Sequence, residues 1–241
     1  MIQFHENGIT NRMLRSLPQA TLERILPALE PLHAVQRQVL NAADRPIEHL
    51  YFINRGLVSF VKTMDDGRTI EIATAGIDGV TYPNAFLNSM DKAVAESVVR
   101  IPGTMHRISC DILRYEMTRD DALREMMQTY ARFAISQLAL NAACNGLHSI
   151  KERCCRWLAN CHDSALHETF PLTHEVLAMM LGVQRAGISI ALSSVQKAGL
   201  IQYMRGRVTI RDRPALEDAA CECYRIARAE REQLSGAPER R

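Results

Sequence analysis

Gln184, Arg185 and Ser189 sit at the start of a segment whose apolar residues recur at 188, 191, 192 and 195. That spacing predicts a short helix that buries one face and shows these three polar groups on another. Just upstream, apolar residues at 176, 177, 180 and 181 predict a second short helix, with Gly182 as the turn between them. A guanidinium in the first turn of a presented helix can donate to guanine O6 and N7 in a major groove. Gln184 and Ser189 suit base edges and backbone equally. Thr173 falls at the N-cap of the first helix, where its hydroxyl can satisfy a free amide and also meet a phosphate. Lys197, Arg205 and Arg207 suit phosphate contacts, which position a protein without specifying sequence; a solvated basic face is the alternative.

The charge distribution agrees. The 241-residue chain has a net charge of only +2 and is 47% hydrophobic, which supports a sizeable core and argues against a protein that merely coats nucleic acid. Residues 1–149 hold 15 Lys/Arg against 16 Asp/Glu, whereas over 171–211 Arg185, Lys197, Arg205, Arg207 and Arg211 face a single acid, Glu175. A local basic face on a near-neutral chain fits binding to a specific duplex site.

Other chemistries find less support. The seven cysteines include no Cys-x2-Cys pair. Cys154 and Cys155 are adjacent, and Cys221 and Cys223 are expected to splay apart on a helix. Cys110, Cys144 and Cys161 read as small buried hydrophobes. The eight histidines form no His-x-His and no His-Glu-x-x-His, and neither a phosphate loop nor Gly-x-Ser-x-Gly is present. No metal site, cofactor or catalytic residue is expected. No membrane span or secretory leader is visible, and the odd cysteine count points to the reducing cytoplasm.

Several elements must position the reading helix. From about 33 to 110 the pattern has period two (Leu50, Phe52; Leu57, Ser59, Val61; Ile70, Ile72), broken by Asn54-Arg55-Gly56, Asp65-Asp66-Gly67 and Gly76-Ile77-Asp78-Gly79. Short strands between such turns predict a sandwich or jelly roll. A helical preface, broken by Pro18 and Pro27, precedes it. From Asp120 to about Asn145, Leu123, Met126, Tyr130, Phe133, Gln137, Leu140, Cys144 and Leu147 recur at alternating steps of three and four. That a/d seam suggests a two-chain coiled coil, with Met127, Ala134 and Leu138 facing the roll; one long core helix is the alternative. Asn145-Gly146 should end this helix. Ser149 and Glu152 have capping-box spacing and mark a hinge. Arg205-Gly206 should turn a two-stranded wing. Asp212 should cap a last helix running towards Gln233, with 235–241 a disordered tail.

This order resembles the Crp/Fnr superfamily of bacterial transcription regulators. The resemblance rests on Tyr51-Phe52-Ile53-Asn54-Arg55-Gly56 and Asp66-Gly67-Arg68 in the roll. In the C-terminal part it rests on Leu172-Thr173, Leu177-Ala178, Leu181-Gly182-Val183, Arg185, Gly199-Leu200-Ile201 and Arg213-Pro214-Ala215-Leu216-Glu217. It implies an α+β chain: a cyclic-nucleotide-binding-like roll at 1–119, a dimerisation helix and hinge at 120–148, and a winged helix-turn-helix at 149–234. It implies a homodimer on double-stranded DNA, RNA polymerase as a further partner, and affinity set by a signal at the roll.

Three departures qualify the resemblance. The stretch Gly79–Asn84 through Asp91–Glu96 lacks the Gly-Glu pair and the Arg that hold a cyclic nucleotide, and a buried phosphate without a cation is costly. No cysteine precedes Cys110, so the N-terminal iron–sulfur ligands are missing. Ala186 and Ile190 replace the Glu and second Arg of the usual Arg-Glu-x-x-x-Arg reading pattern, although the Ala186 methyl can touch a thymine methyl. A signal other than a cyclic nucleotide is therefore expected, in a pocket lined by Glu71, Gly76, Asp78, Gly79, Tyr82, Arg100 and Leu138. Its apolar bias suits a small uncharged or aromatic effector. The alternatives are a ligand-independent or thiol-tuned DNA binder and a cupin-type jelly-roll metalloenzyme.

Overall fold

Period-two runs separated by Gly and Asp turns become strands, and the three-four pattern after them becomes one long helix. The computed structural model describes residues 8–85, 92–165 and 168–234. The N-terminal residues, His167, the middle of the cassette and the expected 235–241 tail lie outside them.

Helices α1 (Arg12–Ser16) and α2 (Gln19–Ile25) and a 3-10 turn at Leu26–Ala28 form the preface. Asn54 Oδ1 accepts from the amides of Thr10 and Asn11, and Asn11 Nδ2 donates to the carbonyls of Ile53 and Gly79. These buried bonds fix the preface to the strands. The strands are β1 (Glu30–Ala34), β2 (Val39–Asn41), β3 (His49–Ile53), β4 (Leu57–Thr63), β5 (Thr69–Ala75), β6 (Glu96–Ile101) and β7 (Gly103–Ser109). They pair antiparallel in two sheets, β1-β7-β3 and β2-β6-β4-β5. Tyr51, Ile53 and Met105 from one sheet and Val58, Ala75 and Val99 from the other fill the space between them, as expected for a roll.

Helix α3 (Cys110–Arg119) leads into α4 (Asp121–Leu147), whose first turn is capped by Asp120 Oδ1 accepting from the Leu123 amide at 2.9 Å. The long helix does not stop at Asn145-Gly146. It runs on to Leu147, where the His148 amide donates to the Cys144 carbonyl.

The expected seam is corrected more substantially. Leu123 and Tyr130 are buried in the chain's own core, with Met126 and Phe133 packed against it. Gln137 donates to Glu230, and Cys144, with Leu140 beside it, packs against Cys221 and Cys223. An a/d repeat states only that a stripe is covered, and here the roll and the last helix cover it as far as Cys144, while Leu147 is exposed. Leu138, expected to face the roll, is exposed, while Met127 is fully buried. The free stripe of α4 carries Ile135, Leu138, Ala139 and Ala142, with Ile135 at 68% exposure.

The C-terminal part comprises α5 (Ile150–Ala165), β8 (Thr169–Pro171), α6 (His174–Leu181), α7 (Arg185–Lys197), β9 (Ile201–Met204), β10 (Arg207–Ile210), α8 (Arg213–Asp218) and α9 (Cys223–Leu234). The capping box forms: the Ser149 amide donates to Glu152 Oε2 at 2.9 Å, and the Glu152 amide returns to Ser149 Oγ. Two expectations change. Thr169–Pro171 adds a third strand to the wing, in the order β8-β10-β9. The last helix is two helices, because the chain turns between Asp218 and Cys223. Trp157, Leu158 and Leu177 share one core with Leu57, Val61 and Ile101 of the roll.

Candidate nucleic-acid interface

The reading unit is built from local signals. Thr173 is the N-cap of α6, its Oγ1 accepting from the Val176 amide at 3.2 Å. Gly182 ends the helix at φ 62, the left-handed conformation that favours glycine at this position. A Cβ there would lie 2.6 Å from Ile70 Cδ1 of β5, so the turn packs closely on the roll. Ile188, Ala191, Leu192 and Val195 bury the inner face of α7, as their spacing predicts.

The outer face is free. Gln184, the N-cap, is exposed, as are Arg185, Ala186, Ser193, Gln196 and Lys197. Arg185 Nε pairs with Glu175 Oε1 at 2.9 Å. Both side chains are more than half exposed, so this pair is weak and yields readily to a stronger partner. Ser189 is more engaged than expected: its Oγ donates to the Arg185 carbonyl at 3.1 Å and is hydrogen-bonded to His174 Nδ1 at 2.9 Å. It supports the helix pair before it can read a base. Ile190 is a further exposed residue of α7 that the sequence reading did not single out. It stands 73% exposed in the middle of the reading face, where its aliphatic surface suits a thymine methyl. The signal was present, because an apolar residue off the buried 188–191–192–195 stripe of a presented helix has no core to enter.

Arg205 and Gly206 have φ 50 and 72 and join β9 to β10 in the two-residue turn that hairpins favour. A non-glycine residue in this conformation carries backbone strain. Arg205, Arg207 and Lys197 are all exposed. Tyr203 packs on His174 with ring centroids 4.7 Å apart, and its amide donates to Gln196 Oε1 at 2.6 Å. Wing and helix pair are thereby held together.

Among the described residues, those expected to line the effector pocket do not gather round one cavity. The space beside Gly79 is taken by the Tyr130 hydroxyl, and Gly76 abuts Ser164 of α5. Asp78 pairs with Arg12, while Tyr82 is buried edge-on against Phe60 and donates to the Ala95 carbonyl. Leu138 points to solvent. Glu71 borders a small cleft with Asn141, Cys144 and Arg156, whereas Arg100 borders another with Gln36, Arg37 and Thr173. Glu71 is a joint between domains: its Oε1 accepts from Trp157 Nε1 at 2.8 Å and its Oε2 from Ser59 Oγ. Burial pushes its carboxyl up to about 7, against the opposing pull of those two donors and of Arg100 and Arg156.

The cysteines also depart from expectation. All seven are buried. Cys221 precedes α9 and does not lie on it, so it and Cys223 do not splay apart. Their sulfurs converge with Cys144 Sγ and a His148 ring nitrogen, all within 4.8 Å of one another. The Cys144 and Cys221 sulfurs are 3.5 Å apart, and that hydrogen bond draws the Cys144 thiol down while Cys221 rises.

Residues 152–219 match the family model of the Crp-like helix-turn-helix domain. The chain superposes on FixK2 from Bradyrhizobium japonicum with a TM-score of 0.67 and 17% identity, covering 80% of this chain and 98% of that one. CLP, a c-di-GMP responsive global regulator from Xanthomonas campestris, gives 0.65 and 18%, over 80% and 99%. TTHB099, a CRP-family transcriptional regulator from Thermus thermophilus, gives 0.63 and 18%, over 79% and 96%. Comparison with curated proteins gives no match. The fold is that of the Crp/Fnr regulators, and within it 152–219 match the Crp-like helix-turn-helix domain. No single helix among the described residues is long and apolar enough to cross a membrane.

Proposed function

We propose that this chain is a cytoplasmic, homodimeric transcription regulator that binds a specific double-stranded DNA site through α7. The observation that carries this reading is the free outer face of that helix in a domain of DNA-binding class: Arg185, Ala186 and Ile190 exposed in sequence, with Gln184 at the cap. Arg185 reads a guanine, Ile190 and Ala186 read thymine methyls, and Thr173, Lys197, Arg205 and Arg207 hold phosphates. Gln184 and Ser189 complete the contact set, and RNA polymerase is the further partner.

The working division is a sensor roll over 1–119, a dimerisation helix and hinge over 120–148, and a reader over 149–234. The dimer face is the free stripe of α4, in which Ile135, Leu138 and Ala142 keep three-four spacing, with half-buried Ala131 one turn before. Twofold pairing along it sets two reading helices about 34 Å apart, one turn of duplex. A second reading, that no small molecule enters the roll, is favoured by the Tyr130 hydroxyl standing where the effector was expected.

Selection of bound duplexes from a random pool tests the function. The expected result is an inverted repeat whose retention falls steeply with salt. Retention without sequence preference, or no salt-sensitive retention of any duplex, overturns the reading.

A further inference from the structure

Cys144, His148, Cys221 and Cys223 come from two places far apart in the chain. Cys144 is in the last turn of α4, and His148 is the residue that ends it. They are four apart, the spacing that puts two side chains on one helix face. Cys221 lies in the turn before α9, and Cys223 is its first residue. The three thiols are buried, the imidazole is half-buried, and every donor atom lies within 4.8 Å of the others. Cys144 Sγ is 3.5 Å from Cys221 Sγ, and Cys223 Sγ is 3.6 Å from His148 Nδ1.

We propose that these four residues bind one zinc ion as a closed, tetrahedral Cys3His site. Zinc–sulfur bonds of about 2.3 Å and zinc–nitrogen bonds of about 2.0 Å put tetrahedral edges at roughly 3.5–3.8 Å. The 3.5 Å and 3.6 Å edges already lie in that range, and small side-chain rotations bring in the rest. The donor set is one of those used by structural zinc.

A second observation points the same way. The other ring nitrogen, His148 Nε2, lies 3.1 Å from Glu222 Oε2. A carboxylate that orients a ligating imidazole through its free N–H is the usual outer partner of zinc-bound histidine. A disulfide between Cys144 and Cys221 would use neither this imidazole and its carboxylate nor the third thiol. Arg153 and Arg156 line the cleft that Cys144 borders, where they oppose the single negative charge of a zinc tris-thiolate. On binding, the three thiols release their protons to solvent.

With four protein ligands the ion has no open position, so its role is to hold and not to catalyse. It would join the end of α4 to the segment between α8 and α9. That closes a loop of chain containing the whole helix pair and the wing, and so fixes the reader at one angle to the long helix.

The test uses the full chain, purified under reducing conditions without added chelator. Elemental analysis is expected to find about one zinc per chain. Exchange with Co(II) is expected to give the intense visible bands of a tetrahedral site and an ultraviolet sulfur-to-cobalt charge-transfer band. Glu222→Gln keeps all four ligands and should weaken zinc binding by about 10- to 100-fold in a chelator competition. Cys223→Ser removes one of three sulfur ligands and should lose about a third of the charge-transfer intensity, with circular dichroism confirming that the chain is folded. Should Cys223→Ser fail to fold, the Glu222→Gln competition and the Co(II) spectrum of the unaltered chain decide. Reduced, folded protein that takes up neither metal, a Co(II) spectrum without sulfur charge transfer, or an isolated Cys144–Cys221 disulfide that reduction opens without creating a zinc site would each overturn the proposal.

Discussion

The indole Nε1–H of Trp157 donates to Oε1 of Glu71 across 2.8 Å, so a side chain of the reader domain ends on a carboxylate of the roll. The residues around that carboxylate are Ser59, Arg100 and Arg156. Its folded value of about 7 stands above the ordinary 4.5 because burial disfavours the charge. A raised carboxylate contributes stability that is complete below its unfolded value and is lost as pH rises through the folded one. Thermal stability should therefore fall between about pH 5 and pH 8, by on the order of 3 kcal/mol. Glu71→Gln keeps an acceptor for Trp157 and should flatten that dependence. Parallel melting profiles of the two proteins check it.

Arg185→Ala should cost about 1–3 kcal/mol of discrimination at one base pair per half-site. Glu175→Gln should act in the opposite direction, tightening binding to all duplexes, because it frees the guanidinium and removes a negative charge facing phosphate. Site profiles of the two variants separate reading from steering. An unchanged profile for Arg185→Ala would remove that residue from the reading role.

Arg205→Asn keeps a residue that tolerates the left-handed turn and removes its charge. Affinity should drop about equally for all sequences, and the slope of log affinity against log salt should shrink by about one. Titrations at several salt concentrations measure this directly.

Ile135→Glu places a charge on the free stripe of α4 and should convert dimers to monomers with little change in melting temperature. Tyr130→Glu, on the opposite side of the helix, should instead destabilise the fold by about 3 kcal/mol or more, because it buries an unpaired charge against Gly79. Sedimentation and thermal melting, run on both variants, distinguish the faces.

The helix pair was legible because its signals are local. Thr173, Gly182 and the 188–191–192–195 stripe each act within a few residues, and Arg205-Gly206 sets its own turn. The strands were legible from alternation and turns, although β8 hid in a three-residue segment. What failed depended on distant partners. The a/d stripe of α4 looks the same whether a second chain or α9 covers it. Cys144 and His148 meet Cys221 and Cys223 only after more than seventy residues of folded chain close the loop. The break between α8 and α9 carries neither Gly nor Pro, the usual punctuation. The pocket was inferred from backbone positions, and the space beside Gly79 belongs to a side chain distant in sequence, Tyr130.

The shared core of Leu57, Val61, Ile101, Trp157 and Leu158 has a consequence for how this molecule comes apart. The roll keeps further interior of its own, but neither half can unfold without exposing these shared side chains. Calorimetry should record one cooperative endotherm, and any loosening of the sensor strands is felt at once in the footing of the reading helix.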